Sequence, residues 1–395
     1  MLTASAAARV QTLDQRSSTE ALGERFEEFL GRVKAARSPA VKKQIVDEYI
    51  GQLKRYGRAV IEDLTVNFVY HGSARRVGVP SDLNGWDAAA DTMSRVPGTS
   101  LFYLPKRVDR AARFEYKIAV DSSWILDPFN QLQAVGGYGP NSEIWMPRYS
   151  PPQEIGYRPD IPHGTIDTLY FKSRLLGRTH PIFIYRPPRY DSLAQPLPSL
   201  YVTDGGEYLT LALMSIVLDN LIADKRISPV VGIFIDPRTD IRDAKTSMRM
   251  HDYTMSDTFV SFLTTELLPK IKEDYRLDEH PGQTGIMGAS LGGLIATYAS
   301  FRRPDVFGLC AAQSPAYWWK DEVMIKTMAG SSRRPVKFYI DTGTIRDAQV
   351  HARKMKQLLE EKGYELKYGE YPEAHNWSNW RARVDDILEC FWGIR

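Results

Sequence analysis

Apolar residues recur at helical spacing in two segments near the start of the chain, residues 19–36 and 40–56. They are Leu22, Phe26, Phe29, Leu30 and Val33 in the first segment and Val41, Ile45, Tyr49 and Leu53 in the second. Residues 1–18 are small or polar and lack this period. The pattern predicts an N-terminal tail and a helical hairpin over residues 1–60, whose apolar stripes need a neighbouring surface to cover them.

From residue 61 onward the apolar residues alternate with polar ones, which is the spacing of strands. Turn signals rich in Gly, Asn and Asp separate the alternating runs. The runs are residues 65–70, 76–79, 101–104, 113–120 and 123–126, and the clearest turns are 82–87 and 136–142. Short strands at regular intervals predict a small β-sandwich over residues 61–147.

Proline is concentrated in residues 146–162. Because proline neither continues a helix nor donates to a sheet ladder, a linker is predicted over residues 148–163.

Beyond residue 164, continuous apolar runs alternate with helical patterns. Residues 164–173 and 180–186 are predicted to form a β-hairpin. The strands that follow are predicted at residues 199–203, 230–235, 284–287, 307–313, 336–340 and 366–371, and the helical patterns are 210–224, 256–275, 348–362, 379–392 and a stretch from 321. This order predicts an α/β domain over residues 164–395, with a mostly parallel sheet covered on both faces by helices.

Composition and charge narrow the possible partners. The 395 residues include 51 Lys and Arg against 48 Asp and Glu, a net charge of +3, so we expect neither nucleic acid nor a membrane surface as a partner. Cys310 and Cys390 are predicted to be free thiols. The sequence indicates no metal and no cofactor. The N-terminus lacks the apolar core of a signal peptide, so the chain as written is expected in the cytoplasm. A signal removed before residue 1 would place it in the periplasm or outside the cell.

A candidate nucleophile lies in Gly288-Ala289-Ser290-Leu291-Gly292, between an apolar run and a helical pattern of small residues. This is the strand, sharp turn and helix of a nucleophile elbow, which holds a serine hydroxyl at the edge of a sheet. The alternative is a structural tight turn.

A serine nucleophile needs a base and a group that orients the base. In α/β-hydrolases these follow in the order serine, acid, histidine. Only His351 and His375 come after Ser290, and His351 lies inside a predicted helix, so His375 is the predicted base. Two carboxylates compete as the acid. Asp347 is favoured, while Asp341 at the predicted strand end is expected to cap the loop backbone.

The remaining predicted site residues follow from their positions at strand ends. The amide of Leu291 and the amide of Gly206 are predicted to form an oxyanion hole, although Gly205-Gly206 also suits a tight turn. Trp318 and Trp319 are predicted to line a substrate pocket or to pack under a lid.

Two arginines follow the predicted strand 230–235. Arg238 and Arg242 are candidates to hold an anionic substrate, and the alternative is a salt-bridged loop.

The sandwich segment contains the stretches LNGWD, ARFEYKIAVDSSWILDP and GGYGPNSEIWMP. They resemble the early-set, immunoglobulin-like domains related to glycogen-binding modules. Such a domain also precedes the catalytic part of enterochelin-esterase-like proteins. The resemblance implies that Trp86 and Trp124 stack on a ligand or, more often in such domains, pack structurally.

The α/β segment contains TDGGEYL, IDPRTDIRD, FLTTELLPKI, MGASLGGLIA, QSPAYWW, DTGTIRDA and YPEAHNWSNWR. These motifs resemble the esterase family that includes ferric-enterobactin esterases, feruloyl esterases, S-formylglutathione hydrolases and mycolyltransferases. The resemblance implies an α/β-hydrolase fold and serine carboxylic-ester hydrolysis, with Ser290, Asp347 and His375 as a triad. One position departs from the family pattern, because Arg346 stands where many relatives have the acid. This leaves a Ser–His pair with weak acid support as an alternative.

The leading prediction is an enterochelin-esterase-like hydrolase that works through an acyl-enzyme on a small-molecule or polysaccharide-linked ester. The near-neutral charge does not favour a tris-catechol site. The alternatives are a feruloyl or acetyl esterase acting on plant polysaccharide, an acyltransferase to a sugar, and a catalytically inactive carbohydrate-binding protein. The sequence does not fix the oligomeric state, with a dimer as one option.

Overall fold

The computed structural model describes residues 22–137 and 139–394, which form two compact units. The first unit comprises residues 22–151 together with 372–375, and the second comprises residues 152–371 and 376–394. Within these described residues, no helix is both long and apolar enough to cross a bilayer.

The first unit begins with a pair of helices, α1 (Phe26–Ala35) and α2 (Pro39–Tyr56). The rings of Phe29 and Tyr49 stack with their centroids 3.8 Å apart, and both helices bury their apolar stripes in a core shared with Val69 of the following strands. The first helix begins at Phe26 rather than near residue 19, and residues 19–21 lie outside the described part of the chain.

The rest of the first unit consists of short antiparallel strands. They are β1 (Val60–Glu62), β2 (Thr65–His71), β3 (Val77–Gly78), β4 (Ser94–Arg95), β5 (Leu101–Arg107), β6 (Arg113–Tyr116), β7 (Ile118–Val120), β8 (Ser123–Ile125), β9 (Gln133–Gly136) and β10 (Gly139–Trp145). They form sheets of order β1-β2-β5-β4, β6-β10-β9 and β3-β7-β8. The predicted antiparallel N-terminal β-architecture is thus present.

Eight strands and ten α-helices among the described residues lie in the second unit, apart from residues 372–374 at the end of the last strand. The strands are β11 (Thr165–Ser173), β12 (Arg178–Arg186), β13 (Ser199–Thr203), β14 (Val231–Ile235), β15 (Thr284–Ala289), β16 (Leu309–Gln313), β17 (Lys337–Ile345) and β18 (Glu365–Ala374). The helices are α3 (Gly205–Thr210), α4 (Met214–Ala223), α5 (Arg249–Asp252), α6 (Asp257–Ser261), α7 (Leu268–Asp274), α8 (Leu291–Arg302), α9 (Trp319–Ala329), α10 (Gln349–Glu361), α11 (Trp377–Arg381) and α12 (Val384–Trp392). A π-helical segment, Phe262–Leu267, joins α6 to α7.

The eight strands form one sheet of order β11-β12-β14-β13-β15-β16-β17-β18. The hairpin β11–β12 is antiparallel and pairs antiparallel with β14, while the strands from β14 to β17 pair in parallel. Two apolar clusters cover the sheet, one on each face. This is the α/β-hydrolase architecture that the sequence predicts.

One strand boundary changes the interpretation of the site. The strand predicted to end at Ile340 continues to Ile345, so Asp341 lies inside β17 and is fully buried. The expectation that Asp341 caps a loop backbone is therefore wrong. The pattern gave no sign of this extension, because the four residues that follow Ile340 are polar or glycine.

Candidate active site

Ser290 occupies the sharp turn between β15 and α8. Its backbone has φ 59° and ψ −119°, a combination that is strained for a residue with a side chain. The turn is held on both sides: the Ser290 N–H donates to the Gln313 carbonyl at 2.8 Å, and the Ser290 carbonyl accepts from the Ala316 N–H at 3.0 Å. The nucleophile-elbow geometry predicted from the sequence is present, and the strain marks Ser290 as a functional candidate.

The two glycines of the elbow are required by close packing. A Cβ added to Gly288 would lie 2.0 Å from Thr203 Oγ1 and 2.5 Å from the carbonyl carbon of Gly292. A Cβ added to Gly292 would lie 2.5 Å from the same Thr203 oxygen and 3.1 Å from Asp204 Oδ2. The elbow therefore packs closely against Thr203 at the end of β13. Asp204 and Gly206 lie in the segment that comes directly after this strand.

A half-buried arginine that the sequence analysis missed joins these two segments. Arg249 Nε donates to Asp204 Oδ1 at 2.8 Å, and Arg249 Nη2 donates to Asp204 Oδ2 at 2.9 Å and to the Ala289 carbonyl at 2.9 Å. Burial disfavours its charge, but the Asp204 carboxylate outweighs this and raises the pKa of Arg249 above its ordinary value. The guanidinium thus links the residue before the nucleophile to the loop after β13.

Asp347 lies just after β17, and both of its carboxylate oxygens accept hydrogen bonds. Its Oδ2 accepts from Ser314 Oγ at 2.6 Å and from the Gly343 N–H at 2.6 Å, and its Oδ1 accepts from the Ala348 N–H at 2.7 Å. Donors aimed at both oxygens stabilise the ionised carboxylate. An ionised carboxylate is the form that an orienting acid needs.

Asp341 has the opposite environment. It is fully buried inside β17, and its Oδ2 accepts a hydrogen bond from Gln313 Nε2 at 3.1 Å. Its Oδ1 has no hydrogen-bond partner among the described residues. Burial raises the pKa of Asp341 to about 8, so this carboxyl is largely neutral at pH 7 and poorly suited to stabilise an imidazolium. The contrast favours Asp347 as the acid.

His375 is exposed and directly follows β18. Its strand is the sheet neighbour of β17, which leads to Asp347. His351 lies inside α10, where its Nε2 is 3.4 Å from Glu322 Oε1. The structure thus keeps His351 on a helix and His375 at the end of a strand, as the sequence predicts.

The two predicted oxyanion donors occupy the starts of helices. Leu291 is the first residue of α8 and Gly206 the second residue of α3, and a helix leaves the first N–H groups without intrahelical partners. A Cβ on Gly205 would lie 2.4 Å from the Phe234 carbonyl carbon, and one on Gly206 would lie 2.2 Å from Asp236 Oδ2. Packing alone therefore accounts for both glycines, and the oxyanion role of Gly206 stays a prediction.

The predicted pocket tryptophans follow β16 on the segment that is bonded to Ser290 through Ala316. The Trp318 side chain is 50% exposed. Trp319 packs partly against the core of the second unit, and its buried Nε1 has no hydrogen-bond partner among the described residues. Their rings meet edge to face at a centroid distance of 6.0 Å. Their position at the elbow agrees with a pocket-lining role, which stays a prediction.

Both arginines after β14 form salt bridges within their own loop. Arg238 binds the buried Asp236 at 2.6 Å, and the largely exposed Arg242 binds Asp240 at 2.8 Å. These pairs match the salt-bridged alternative, while the role of either arginine in holding a substrate stays a prediction. Nearby, burial and the charge of Asp204 raise the pKa of Glu207 to about 7.

Comparison with known proteins decides the family. The model of the esterase family matches residues 173–391, more than half of the chain. The chain belongs to the esterase family. The predictions of an α/β-hydrolase and of a carboxylic-ester hydrolase are thereby confirmed at the level of the family.

Among curated proteins, the esterase-family chain is 29% identical to the iron(III) enterobactin esterase of Escherichia coli K12 over 196 residues, 49% of this chain and 47% of that protein. It is 28% identical to an endo-1,4-beta-xylanase/feruloyl esterase of Xylanibacter ruminicola over 176 residues, 42% of this chain and 24% of that protein. The chain thus spans about half the length of the enterobactin esterase that it matches.

Among solved structures, the ferric enterobactin esterase of Salmonella typhimurium superposes with a TM-score of 0.71 at 19% identity, covering 83% of this chain and 93% of that chain. A ferulic acid esterase of Anaeromyces mucronatus superposes with a TM-score of 0.52 at 17% identity, covering 61% of this chain and 96% of that chain. These likenesses confirm the fold.

The sequence analysis of this esterase-family chain missed Arg249, the hydroxyl of Ser314 and the indole of Trp380, whose Nε1 donates to Ser314 Oγ at 3.0 Å. Arg249 stands in a short helix with no pattern of its own, and its role depends on contacts to two distant segments. Ser314 and Trp380 did fall inside quoted family motifs, QSPAYWW and YPEAHNWSNWR. Those motifs were therefore a usable signal for both residues.

Proposed function

We propose that this protein is a serine carboxylic-ester hydrolase that works through an acyl-enzyme, with Ser290 as nucleophile, His375 as base and Asp347 as acid. The observation that carries the proposal is the strained elbow backbone of Ser290 between β15 and α8. The hydrogen bonds that Asp347 accepts from Ser314 and Gly343 support its role as the acid. The position of His375 after the strand next to β17 supports its role as the base.

In this mechanism His375 accepts the Ser290 hydroxyl proton while Ser290 Oγ attacks the ester carbonyl carbon. The N–H groups of Leu291 and Gly206 stabilise the oxyanion that forms. Collapse of the tetrahedral intermediate expels the alcohol, which takes its proton from His375, and leaves the acyl group on Ser290. Water activated by His375 then releases the acid. Asp347 orients the imidazole and stabilises its charged form.

For the substrate, we propose an ester that carries a hydroxylated aromatic group, as in the enterobactin and feruloyl esters after which the relatives are named. Trp318 and Trp319, on the segment bonded to Ser290, supply aromatic surface for such a group. An enterobactin-type ester is the leading candidate and a feruloyl ester is the second. We propose a cytoplasmic location for the chain as written.

The test compares the purified protein with Ser290→Ala on p-nitrophenyl butyrate, ferric enterobactin, methyl ferulate and acetylated xylan. We expect hydrolysis by the wild-type protein and a loss of about 10³-fold or more in kcat for Ser290→Ala. A fluorophosphonate probe should label Ser290 in the wild-type protein only. Activity unchanged in Ser290→Ala would refute the mechanism. An inert wild-type protein that binds glucan would instead favour a carbohydrate-binding role.

A further inference from the structure

Ser314 is a buried serine with a strained backbone at the end of β16. It is fully buried, and its φ of 41° lies in the left-handed region that serine rarely adopts. Its N–H donates to the Asp341 carbonyl at 2.7 Å, which anchors this conformation to β17. Strained backbone of this kind persists only where the surroundings impose it, and it is concentrated at functional sites.

The Ser314 hydroxyl links the candidate acid to the C-terminal helices. Ser314 Oγ donates to Asp347 Oδ2 at 2.6 Å and accepts from Trp380 Nε1 at 3.0 Å. An indole N–H is a donor only. The single hydroxyl proton of Ser314 is therefore directed away from Trp380 and toward Asp347.

The Trp380 end of this chain of hydrogen bonds is held by further contacts. Gln313 Nε2 donates to the Trp380 carbonyl at 3.0 Å, and Tyr208 donates to Gln313 Oε1 at 2.8 Å. The Trp380 ring packs edge to face on Trp377 at a centroid distance of 4.9 Å. The indole is thus fixed against the same strand end that carries Ser314.

We propose that Ser314 and Trp380 are positioning residues that hold the Asp347 carboxylate in its ionised, oriented form, with Trp380 fixing the direction of the Ser314 hydroxyl. The proposal rests on the proposed function, in which Asp347 orients His375. In the proposed mechanism neither residue donates or accepts the transferred proton. Their effect on catalysis passes through Asp347.

The test is a double-mutant cycle on kcat and KM, in which Ser314→Ala is made in the wild-type protein and in Asp347→Asn. Loss of a hydrogen bond to a charged group predicts that Ser314→Ala lowers kcat about 10- to 100-fold in the wild-type protein, with KM nearly unchanged. In Asp347→Asn the same substitution should have almost no further effect. Trp380→Phe, which keeps an aromatic ring but removes the donor, should show a smaller loss of kcat.

Ser300→Ala is the matched control. Ser300 is also fully buried, and its hydroxyl donates to the Thr297 carbonyl at 3.0 Å inside α8. Ser300→Ala should destabilise the protein about as much as Ser314→Ala does, but it should leave kcat unchanged. If Ser314→Ala does not fold, Ser314→Gly takes its place. Glycine also lacks the hydroxyl and adopts a positive φ without strain. The double-mutant cycle with Asp347→Asn is then measured with this variant.

Equal losses of kcat in both backgrounds, or a Ser314 variant that behaves like Ser300→Ala, would overturn the proposal while leaving the Ser290 mechanism intact. Full activity of Asp347→Asn would overturn it together with the acid assignment. A wild-type protein without Ser290-dependent hydrolysis would overturn the proposed function as well.

Discussion

Arg249 binds both oxygens of the Asp204 carboxylate, at 2.8 Å and 2.9 Å through separate guanidinium nitrogens. The same guanidinium donates to the carbonyl of Ala289, the residue before the nucleophile. Asp204 itself has a left-handed backbone with φ 55° and begins the loop that leads to Gly206. One side chain therefore connects the loop with one predicted oxyanion donor to the elbow with the other.

Arg249→Lys is predicted to fold but to lose activity. Lysine keeps the charge but lacks the planar fork that serves two acceptors at fixed geometry. We expect kcat to fall about 10-fold or more, since a lost oxyanion donor alone costs 10²–10³-fold. Arg353→Ala is the control, because Arg353 forms an exposed ion pair with Glu370. Equal kcat for wild type and Arg249→Lys would contradict a role for Arg249 in aligning the site.

Asp347→Asn and Asp341→Asn are predicted to separate the two candidate acids. Asp347→Asn should lower kcat by about 10³- to 10⁴-fold, because an amide cannot stabilise the imidazolium. Asp341→Asn should retain most of the activity, because the carboxyl it replaces is already largely neutral at pH 7. Steady-state kinetics on one ester decides the matter. The reverse order of the two losses would assign the acid to Asp341.

The stability of the protein is predicted to fall with rising pH partly because of Asp341. Its pKa is raised from 3.8 to about 8 in the folded state. Its contribution to the free energy of unfolding is therefore fully present below about pH 4 and is lost as the pH rises toward 8. The slope for one such group is at most ~1.4 kcal/mol per pH unit. Asp341→Asn should therefore unfold at a higher urea concentration than wild type at pH 8, with the difference shrinking toward pH 4.

That comparison needs a control, because burial also raises the pKa of Glu207 to about 7. Glu207 therefore also makes the free energy of unfolding fall as the pH rises. Glu207→Gln should remove a separate part of this pH dependence, one that is complete near pH 7 rather than near pH 8. An Asp341→Asn variant with the wild-type pH dependence of unfolding would show that Asp341 is ionised in the folded protein.

Gly288→Ala is predicted to destabilise the protein more than an ordinary glycine substitution. The new Cβ would lie 2.5 Å from the backbone of Gly292, which cannot move without opening the elbow. Overpacking of a rigid site costs about 1–3 kcal/mol or more. Gly330→Ala is the control, because its Cβ would lie 3.7 Å from the nearest atom, a carbonyl oxygen. Thermal unfolding of both variants measures the difference, and similar melting temperatures would refute the close packing of the elbow.

Much of the fold could be predicted from the sequence, because the relevant signals are local. Helical spacing predicted α2 to within one residue of its start, and proline at its first position fits that boundary. The pattern of strand, glycine, serine, glycine and helix also located the elbow at Ser290 without any knowledge of its neighbours. Strand ends were less predictable, since β17 continues beyond Ile340 into polar residues, the first of which, Asp341, pairs with Gln313 of β16.

By itself, the sequence determined the alternation of strands and helices and the position of the elbow at Ser290, because each of these depends on residues close together in the chain. The tertiary structure decided the environment of each candidate carboxylate. Asp341 and Asp347 are six positions apart and chemically identical, but one is buried inside a strand and the other receives donors from Ser314 and two backbone amides. The ion pair between Arg249 and Asp204 likewise joins residues that are 45 positions apart in the chain. The parallel pairing of β13 with β15 places the end of β13, which leads to Asp204, beside the strand that leads to Ala289 and the elbow.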